Sequence, residues 1–332
     1  MKHQLFAILG LVTLFGCTPM AYKVTPIPMT ERLDESVVAC DRGILLPKVA
    51  LIDIDGVILN ARDTSLLGSG DNPTALVMEK LQKAAEDPHV KAVVLRINSP
   101  GGGVTASDII YRQVLKVKCG DKSRGFPAKP VVAAMMDVAA SGGYYIACAA
   151  SEIYAEPTTV TGSIGVIMLT LNAKGLLDKI GVSTDAIKSG AKKDIGSPFR
   201  PMQPDERKIF QDMINEFYNR FVDVVAQSRT KISKSKVREL ADGRVYSGEQ
   251  AQKLSLIDKV DGLDGAIKHS KELAGIQAAK VVMYHRPVGY RGSIYSAAEP
   301  MPVQKNETNL FNVRVPDLLP QQGAFMYLWQ PQ

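Results

Sequence analysis

Apolar and polar residues alternate in blocks along the middle of the chain. The run over residues 90–97 is almost continuously aliphatic and β-branched, which is typical of a strand buried on both faces. Shorter apolar runs over residues 49–54 and 131–136 end at turn-forming or small residues and predict further strands. Apolar residues recur at helical spacing over residues 73–86 and 104–117. This alternation predicts right-handed β-α-β units on a mainly parallel sheet with flanking helices.

The C-terminal half continues with a long predicted helix and then loses its pattern. Residues 205–229 carry a wide apolar face, which favours packing against the core over a cofactor site. A capping box over residues 247–250 begins another helix. Six of the 19 prolines fall within residues 286–332, where the periodicity is lost. We therefore expect the folded domain over residues 47–275 and an irregular, proline-rich tail over residues 276–332.

The N-terminal residues predict an export signal. Lys2 precedes an apolar run over residues 5–15, which is too short to span a bilayer comfortably. The sequence Leu-Phe-Gly-Cys that ends at Cys17 resembles the lipobox of bacterial lipoproteins, whose cysteine becomes the acylated first residue. This interpretation makes residues 1–16 a lipoprotein signal peptide and Cys17 the lipidation site. A signal peptide cleaved elsewhere is the alternative.

A tether and a location follow from that interpretation. Residues 17–46 contain mixed polar residues and prolines, as expected of a segment that leads away from a membrane surface. Thr18, rather than aspartate, follows the cysteine, which resembles the outer-membrane sorting default of Gram-negative lipoproteins. The predicted protein is exported, lipid-anchored to a bacterial membrane and faces the periplasm, with the outer membrane favoured.

Composition narrows the functional class. Hydrophobic residues are 45% and charged residues 22% of the chain, so overall disorder is excluded. The net charge of +6 is spread out and aromatic residues are only 6%, so no nucleic-acid partner is expected. Cys40, Cys119 and Cys148 form no C-x-x-C pair, so a zinc site is not supported and no metal is predicted. Export permits one disulfide among the three, whose pairing stays open.

Two segments rich in glycine and serine carry the candidate chemistry. Three consecutive glycines over residues 101–103 directly follow the strand at 90–97, where they form either an oxyanion hole or a tight turn. Ser141 lies at the end of a predicted strand and the start of a predicted helix, flanked by alanine and glycine. A helix N-terminus offers free N–H groups and a positive dipole, so a serine there can attack a carbonyl. Position 139 is alanine, so this is not the G-x-S-x-G elbow.

The base that would activate this serine is not a nearby histidine, because none occurs between residues 90 and 268. A lysine made neutral by burial is the better candidate. Residues 187–198 contain three lysines, and composition does not choose among them. Residues 189–192 also fit the S-x-x-K motif of penicillin-binding proteins, but the S-D-N and K-T-G motifs of that family are missing from the chain.

Four ordered motifs resemble the signal peptide peptidase A family of serine proteases, and the similarity covers residues 48–275. They are Ser-Pro-Gly-Gly-Gly from residue 99, Asp-Val-Ala-Ala-Ser-Gly-Gly-Tyr-Tyr from residue 137, Thr-Gly-Ser-Ile-Gly-Val from residue 161 and Lys-Ser-Gly-x-x-Lys-Asp-x-Gly-Ser-Pro from residue 188. The resemblance implies a ClpP/crotonase-like fold of repeated ββα units with a mainly parallel sheet.

The same resemblance assigns roles to particular residues. It implies that Ser141 is the nucleophile and Lys193 the general base, with Ser163 orienting the lysine. It implies that the N–H groups of Gly102 and Gly142 form the oxyanion hole. The expected activity is that of a serine endopeptidase that hydrolyses apolar peptides, such as signal-peptide remnants or misfolded envelope proteins, through an acyl-enzyme.

The resemblance also implies partners. It suggests a ring-like homo-oligomer, with an octamer suspected, in which the lysine comes from the same or an adjacent subunit; the sequence leaves this open. No cofactor is expected. Two alternatives stay open, namely a crotonase-like acyl-CoA enzyme and a catalytically silent, lipid-anchored scaffold of the same fold.

Overall fold

The computed structural model of the protein describes residues 33–61, 64–65, 68–69, 72–286 and 324–329. The predicted signal peptide, Cys17 and the first half of the predicted tether lie outside these residues, so those predictions stay predictions. Within the described ranges, no helix combines the length and the apolar character needed to cross a membrane.

The described residues contain fourteen strands, numbered in chain order. They are β1 (Asp34–Cys40), β2 (Lys48–Asp55), β3 (Thr64–Ser65), β4 (Gly68–Ser69), β5 (Val90–Ser99), β6 (Gly101–Gly103), β7 (Val131–Ala140), β8 (Glu152–Ala155), β9 (Val160–Gly162), β10 (Ile167–Met168), β11 (Val245–Ser247), β12 (Lys259–Val260), β13 (Lys280–His285) and β14 (Phe325–Leu328).

Eight helices accompany these strands in the same described part of the chain. They are α1 (Pro73–Glu86), α2 (Val104–Cys119), α3 (Gly142–Ala147), α4 (Lys174–Lys179), α5 (Pro204–Ser228), α6 (Lys234–Leu240), α7 (Gly248–Lys253) and α8 (Gly262–Leu273). Two predicted helix starts are confirmed: Asn72 caps α1 by accepting from the N–H of Ala75, and Ser247 forms a capping box with Gln250.

The main sheet is mostly parallel, as predicted. Its strand order is β1-β13-β2-β5-β7-β8-β12, and β9 pairs with the end of β7 and with β11. Two of these pairs, β1–β13 and β11–β9, are antiparallel, and the other pairs are parallel. A second sheet, β10-β14-β6, contains the glycine strand β6 and brings a C-terminal strand to it.

Apolar cores cover both faces of the main sheet. Val93, Leu95 and Ile97 of β5 pack into a core shared with α1, α2 and the buried end of α5. Ala92 and Val94 point to the opposite face, where residues of α8 cover them. Successive side chains of a strand alternate between the faces, so a strand buried on both sides needs apolar residues throughout. This explains the continuous apolar run that predicted β5.

The ends of the folded unit differ from the prediction. β1 lies within the predicted tether over residues 17–46, and β13 and β14 lie within the predicted irregular tail over residues 276–332. β13 runs parallel to β2 and antiparallel to β1, so it is an interior strand of the main sheet. Its residues 281–285 are buried. The many prolines within residues 286–332 led to the prediction of an irregular tail, and the short apolar run at 281–285 was included in that tail.

Helix α5 confirms core packing for only part of its length. Near its C-terminal end, Phe221, Val222 and Val225 are fully buried in the core. Towards its N-terminus, Ile209 and Met213 are 42% and 37% exposed. The apolar face predicted for this helix is therefore half covered by its own chain and half open.

Candidate active site

Ser141 occupies the junction between strand β7 and helix α3. Its backbone φ is +53°, in the left-handed region that residues other than glycine rarely adopt. Its N–H donates to the carbonyl oxygen of Gly162 at 2.8 Å, and its carbonyl accepts from Tyr145 N–H at 2.8 Å, as the first turn of α3. Such strain persists only where the surroundings impose it, and it concentrates at functional sites. The serine is 1% exposed, so the fold holds it at a buried helix start.

Ser163 lies beside Ser141 on the neighbouring chain segment. Strands β7 and β9 run parallel with Ala140 opposite Gly162, so both serines follow directly at the carboxyl ends of adjacent strands. Ser163 also has a positive φ, +49°, and its N–H donates to the carbonyl of Arg244 at 2.8 Å. Two of the four non-glycine residues with positive φ in the described chain are therefore the predicted nucleophile and its predicted partner.

The glycine strand β6 directs an N–H group toward the same place. Ile58 donates to the carbonyl of Gly101 at 2.9 Å and accepts from the N–H of Gly103 at 2.9 Å. Because backbone groups alternate in direction along a strand, the N–H of Gly102 points to the opposite edge. A Cβ on Gly102 would lie 2.1 Å from the Ile58 carbonyl oxygen, so this close approach requires glycine.

The two predicted oxyanion-hole segments are in direct contact. The amide nitrogen of Gly142 lies 2.6 Å from where a Cβ on Gly101 would be, and Gly101 Cα lies 3.2 Å from the corresponding position on Gly142. Gly142 is the first residue of α3, so its N–H has no partner within the helix. The structure thus brings Ser141, Gly102, Gly142 and Ser163 together at one edge of the sheet.

Buried polar groups brace this edge. Ser99 Oγ donates to the carbonyl of Gly56 at 2.6 Å and accepts from the N–H of Gly101 at 3.1 Å. Tyr145, in the first turn of α3, donates its hydroxyl proton to Asp108 at 2.7 Å. Burial, together with this carboxylate, raises the pKa of Tyr145, so its hydroxyl stays a proton donor at neutral pH. The backbone around the nucleophile is therefore pre-organised.

Lys193 lies elsewhere in the single chain. It belongs to an exposed run of turns, in which its N–H donates to the Gly190 carbonyl at 3.0 Å. Its side chain is exposed and makes no hydrogen bond to Ser141 or Ser163 within the described ranges. The described residues of one chain therefore do not bring the predicted dyad together, and they leave the Lys193 side chain exposed.

The three lysines of this segment nevertheless differ in their ion pairs. Lys188 pairs with Asp194 at 2.7 Å, and Lys192 pairs with Asp205. No ion pair is formed by Lys193 in the part of the chain that the structure describes. Lys193 is therefore the one lysine of the three whose amine has no carboxylate partner among the described residues.

An arginine fixes the segment around Lys193 to helix α5. Arg200 binds Asp194 through Nε and Nη2 at 2.8 Å, and binds Glu206 through Nη2 at 2.7 Å. These bonds to the Arg200 guanidinium hold the pKa of Asp194 well below its usual range and lower the pKa of Glu206 to about 2. Both carboxylates are therefore charged at neutral pH. Sequence reasoning missed this network.

Metal-binding clusters and cysteine thiols are the other kinds of site to consider among the described residues. Within them, no group of three or more histidine, cysteine, aspartate or glutamate residues could hold a metal ion. Cys40, Cys119 and Cys148 form no disulfide with one another, and burial raises the pKa of the Cys148 thiol to about 12. A thiol in that state is a poor nucleophile.

Sequence reasoning also missed that strand β14 reaches the site. β14 pairs antiparallel with β6, with Tyr327 opposite Gly102. The four residues Phe-Met-Tyr-Leu are a short apolar and aromatic run of the kind that favours a strand. That run is the sequence feature from which β14 could have been predicted.

Comparison with known proteins finds similar sequences among the serine peptidases. The sequence profile of Peptidase family S49 matches residues 127–277, and the Clp protease profile matches residues 48–160. An Enterococcus faecium protein named as a signal peptide peptidase SppA is 37% identical over 244 residues, which are 74% of this chain and 69% of that protein. The chloroplastic serine protease SPPA of Arabidopsis thaliana is 39% identical over 207 residues, 62% of this chain and 29% of that protein.

A third relative, Protease 4 of Salmonella typhi, is 34% identical over 229 residues, which are 69% of this chain and 35% of that protein. This chain therefore aligns with about a third of the length of the two longer relatives. Both profiles include Ser141, and the described sheet with its flanking helices is of the Clp protease type. The chain belongs to peptidase family S49 and is a serine-type peptidase.

Proposed function

We propose that the protein is an endopeptidase in which Ser141 is the nucleophile and Lys193 the general base. The observation that carries this proposal is the strained, buried Ser141 at a helix start, beside the converging glycines of β6 and α3. Ser163, which also has a positive φ and follows the strand next to that of Ser141, is the residue that we propose orients the lysine.

The proposed reaction is acyl transfer in two steps. The neutral amine of Lys193 takes the proton of Ser141 Oγ, which bonds to the peptide carbonyl carbon. The N–H groups of Gly102 and Gly142 stabilise the resulting oxyanion, and each such donor contributes about 10²–10³ in rate. The scissile C–N bond of the substrate then breaks, as the leaving amino group of the peptide receives the proton from Lys193. Water, activated by the same lysine, hydrolyses the ester and restores Ser141.

In this proposal, the Lys193 amine becomes buried and neutral only when subunits assemble. Lys193 is exposed in the single chain, whereas a base that accepts a serine proton needs an environment that disfavours its charge. Large apolar side chains are exposed on the segment around it, including Leu176 and Ile180, each 63% exposed, and Ile187, which is fully exposed. Apolar surface of this extent is typical of a protein interface. We therefore place the proposed dyad in a ring-like homo-oligomer that covers this segment.

The proposed substrates are apolar peptides, either signal-peptide remnants or misfolded envelope proteins. The name of the Enterococcus relative and the predicted lipid anchor at Cys17 support a site close to a membrane. The proposed location is the periplasmic face of a bacterial membrane, with the outer membrane favoured. The intact mass of protein extracted from membranes tests the anchor, since acylation of Cys17 and loss of residues 1–16 give a distinct mass.

The test of the reaction uses the full chain and a matched pair of serine variants. We expect a fluorophosphonate probe to label wild-type protein at Ser141, and casein or an apolar peptide to be cleaved. Ser141→Ala removes both signals, whereas Ser235→Ala, at an exposed serine of α6, keeps both. Equal behaviour of the wild type and Ser141→Ala would overturn the proposal and leave the silent-scaffold alternative.

A further inference from the structure

The parallel strands of the main sheet begin together at the edge opposite Ser141. β13, β2, β5 and β7 are neighbours that run in the same direction, so their N-terminal ends share one edge of the sheet. Ser141 follows the other end of β7, whose ten residues separate the two edges by about 30 Å. The segments that lead into these four strands are residues 41–48, 86–91, 116–130 and 268–280.

Hydrogen bonds join these four segments to one another. The first N–H groups of β13 and β2 donate to the carbonyls of Pro47 and His89, both at 2.8 Å. The buried amine of Lys129 donates to the carbonyl of Asp87 at 2.7 Å. The four segments therefore form one continuous surface, although they are far apart in the sequence.

This surface carries the net charge of the chain. Its four segments contain eleven lysine and arginine residues against five aspartate and glutamate residues. Of the 40 basic and 34 acidic residues of the whole chain, 29 of each lie elsewhere, so the remainder is balanced. The positive charge is spread along the sequence, but the fold collects it at one edge. We name this surface the basic edge.

Much of the positive charge at the basic edge is exposed and has no carboxylate partner. The carboxylates of Asp41 and Asp87 are each held by a lysine of the same surface. Several exposed basic side chains form no ion pair with another described residue, among them Arg42, Lys91, Lys116, Lys122 and Arg124. Such a cluster attracts an anionic partner.

Two fully exposed aliphatic side chains project from the same edge. Ile44 and Leu45, in the turn between β1 and β2, are 93% and 95% exposed. Leu45 has a backbone φ of +54°, a torsion that disfavours a leucine and that concentrates at functional sites. Arg42 lies two residues before this pair and is also exposed. The basic edge therefore combines an apolar tip with surrounding positive charge.

An anionic lipid surface offers a partner for both parts of this combination. An acidic protein segment or a nucleic acid provides negative charge but no apolar layer for Ile44 and Leu45. At the boundary of a lipid layer, apolar side chains enter between the acyl chains while lysine and arginine side chains meet the phosphates. The lipid therefore fits the edge better than a charged polymer does.

The predicted anchor is compatible with this orientation. Sixteen residues separate Cys17 from Asp34, and an extended chain of that length spans at most about 55 Å. β1 runs from Asp34 toward the basic edge over seven residues, about 23 Å. An acylated Cys17 and the basic edge can therefore reach the same lipid layer.

We propose that the basic edge docks on an anionic lipid surface, with Ile44 and Leu45 inserted beside the headgroups and the surrounding lysines and arginines bound to lipid phosphates. This docking turns the edge with Ser141 away from the lipid. It does not depend on the proposed peptidase reaction, because the residues of the basic edge take no part in that reaction.

The first test places a fluorescent reporter at the apolar tip of the full chain. Ile44→Trp is mixed with vesicles of phosphatidylcholine and phosphatidylglycerol that carry doxyl groups on their acyl chains. We expect the vesicles to quench about half or more of the emission that the new tryptophan adds to that of Trp329.

The matched control is Ile187→Trp, at a fully exposed isoleucine of the segment around Lys193. Both variants have the same N-terminal residues, so attachment through those residues brings both to the vesicle. We expect the tryptophan at residue 187 to stay unquenched. Equal quenching of the two variants, or no quenching of Ile44→Trp, overturns the proposal.

The second test removes charge from the basic edge and reads the same quenching. Each lysine or arginine near an anionic surface favours binding about 5-fold, so Lys122→Glu with Arg124→Glu should lower the ratio of inserted to free Ile44→Trp about 25-fold or more. The control, Lys234→Glu with Lys253→Glu, makes the same charge change at exposed lysines of α6 and α7 and keeps the ratio within about 2-fold at 0.15 M salt.

The remaining outcomes separate lipid from other partners. Equal ratios in the two charge variants, or full quenching on vesicles of phosphatidylcholine alone, overturn the role of the basic side chains. Retention of the full chain on a polyglutamate resin without quenching on anionic vesicles assigns the edge to an acidic protein segment and also overturns the proposal. Loss of peptide cleavage in Ser141→Ala with unchanged quenching of Ile44→Trp supports docking that is separate from the reaction.

Discussion

The proposed nucleophile and the proposed base lie in regions of opposite character. Ser141 is 1% exposed and lies where two parallel strands end against a helix. Lys193 lies in exposed turns, between the six-residue helix α4, which has no buried residue, and helix α5. The described part of one chain therefore shapes the surroundings of Ser141 and of the proposed oxyanion hole, but it leaves the proposed base exposed.

The difference reflects how each region is stabilised. The nucleophile edge is bonded to its neighbours by sheet hydrogen bonds and lies against the main core. The lysine segment depends on ion pairs such as Arg200 with Asp194, and it exposes Ile187 and Phe199. Exposed apolar side chains on a segment with few buried residues are expected at the subunit interface that we propose. Each prediction below acts on one of these two regions or on the contrast between them.

The largest effect is expected when the two regions are inactivated in separate chains. Ser141→Ala and Lys193→Ala alone each lose activity by about 10⁴-fold or more. If the lysine comes from a neighbouring subunit, co-assembled variants recover about a quarter of the wild-type rate, because one interface in four of a random head-to-tail ring carries both intact residues. Peptide cleavage by the co-expressed mixture measures this. Mixed oligomers without recovery would place both residues in one chain.

Next in size is a matched pair of glycine substitutions. Gly102→Ala places a Cβ 2.1 Å from the Ile58 carbonyl, so we expect about 1–3 kcal/mol of destabilisation and a large loss of activity. Gly190→Ala, near Lys193, meets nothing within 4 Å, so its effect stays within about 0.5 kcal/mol. Urea unfolding and peptide cleavage measure both variants. Equal losses of stability and activity in the two variants would contradict the difference in packing between the two regions.

Charges on the exposed apolar surface should affect assembly more than folding. Leu176→Asp combined with Ile180→Asp alters side chains that are 63% exposed, so each change costs the monomer at most about 0.5 kcal/mol. We expect the oligomer to dissociate and activity to fall with it, as followed by light scattering. Leu273→Asp, which is 41% exposed on α8, is the control and keeps the assembly. An intact, active oligomer in the double variant would contradict the interface.

The smallest expected effect is an acid transition confined to the lysine segment. Arg200 lowers the pKa of Glu206 from 4.5 to about 2 and also lowers that of Asp194. A lowered pKa stabilises the fold above the unfolded value, and this contribution is lost as pH falls through the folded value. The protection of the amides over residues 188–206, taken relative to the intrinsic exchange rate at each pH, should therefore fall between pH 4.5 and 2 in the wild type, before the protection around Ser141 falls.

The arginine offers the matching variant for that transition. Arg200→Gln removes the guanidinium, so we expect the same segment to exchange faster already at neutral pH, while exchange in β5 and β7 stays unchanged. Protection in Arg200→Gln equal to that of the wild type would show that other contacts hold the segment.

What the sequence predicted was set by local pattern. A continuous apolar run is sufficient to predict β5, and a serine between an apolar strand and a glycine pair is sufficient to locate Ser141 at a helix start. β13 was not predicted because its place in the sheet depends on pairing with β1, where Asp34 lies opposite His285 across most of the chain. The surroundings of Lys193 were beyond prediction for a similar reason, since the apolar side chains near it, such as Ile187, are exposed in the described part of the chain.

The left-handed backbone of Ser141 has a consequence for how such a chain evolves. Glycine adopts this conformation freely, whereas a residue with a side chain is less stable there by about 1–3 kcal/mol. Selection for stability alone would therefore favour glycine at this position, which has no hydroxyl. Serine at this torsion lowers the stability of the fold but keeps a hydroxyl at the start of the helix.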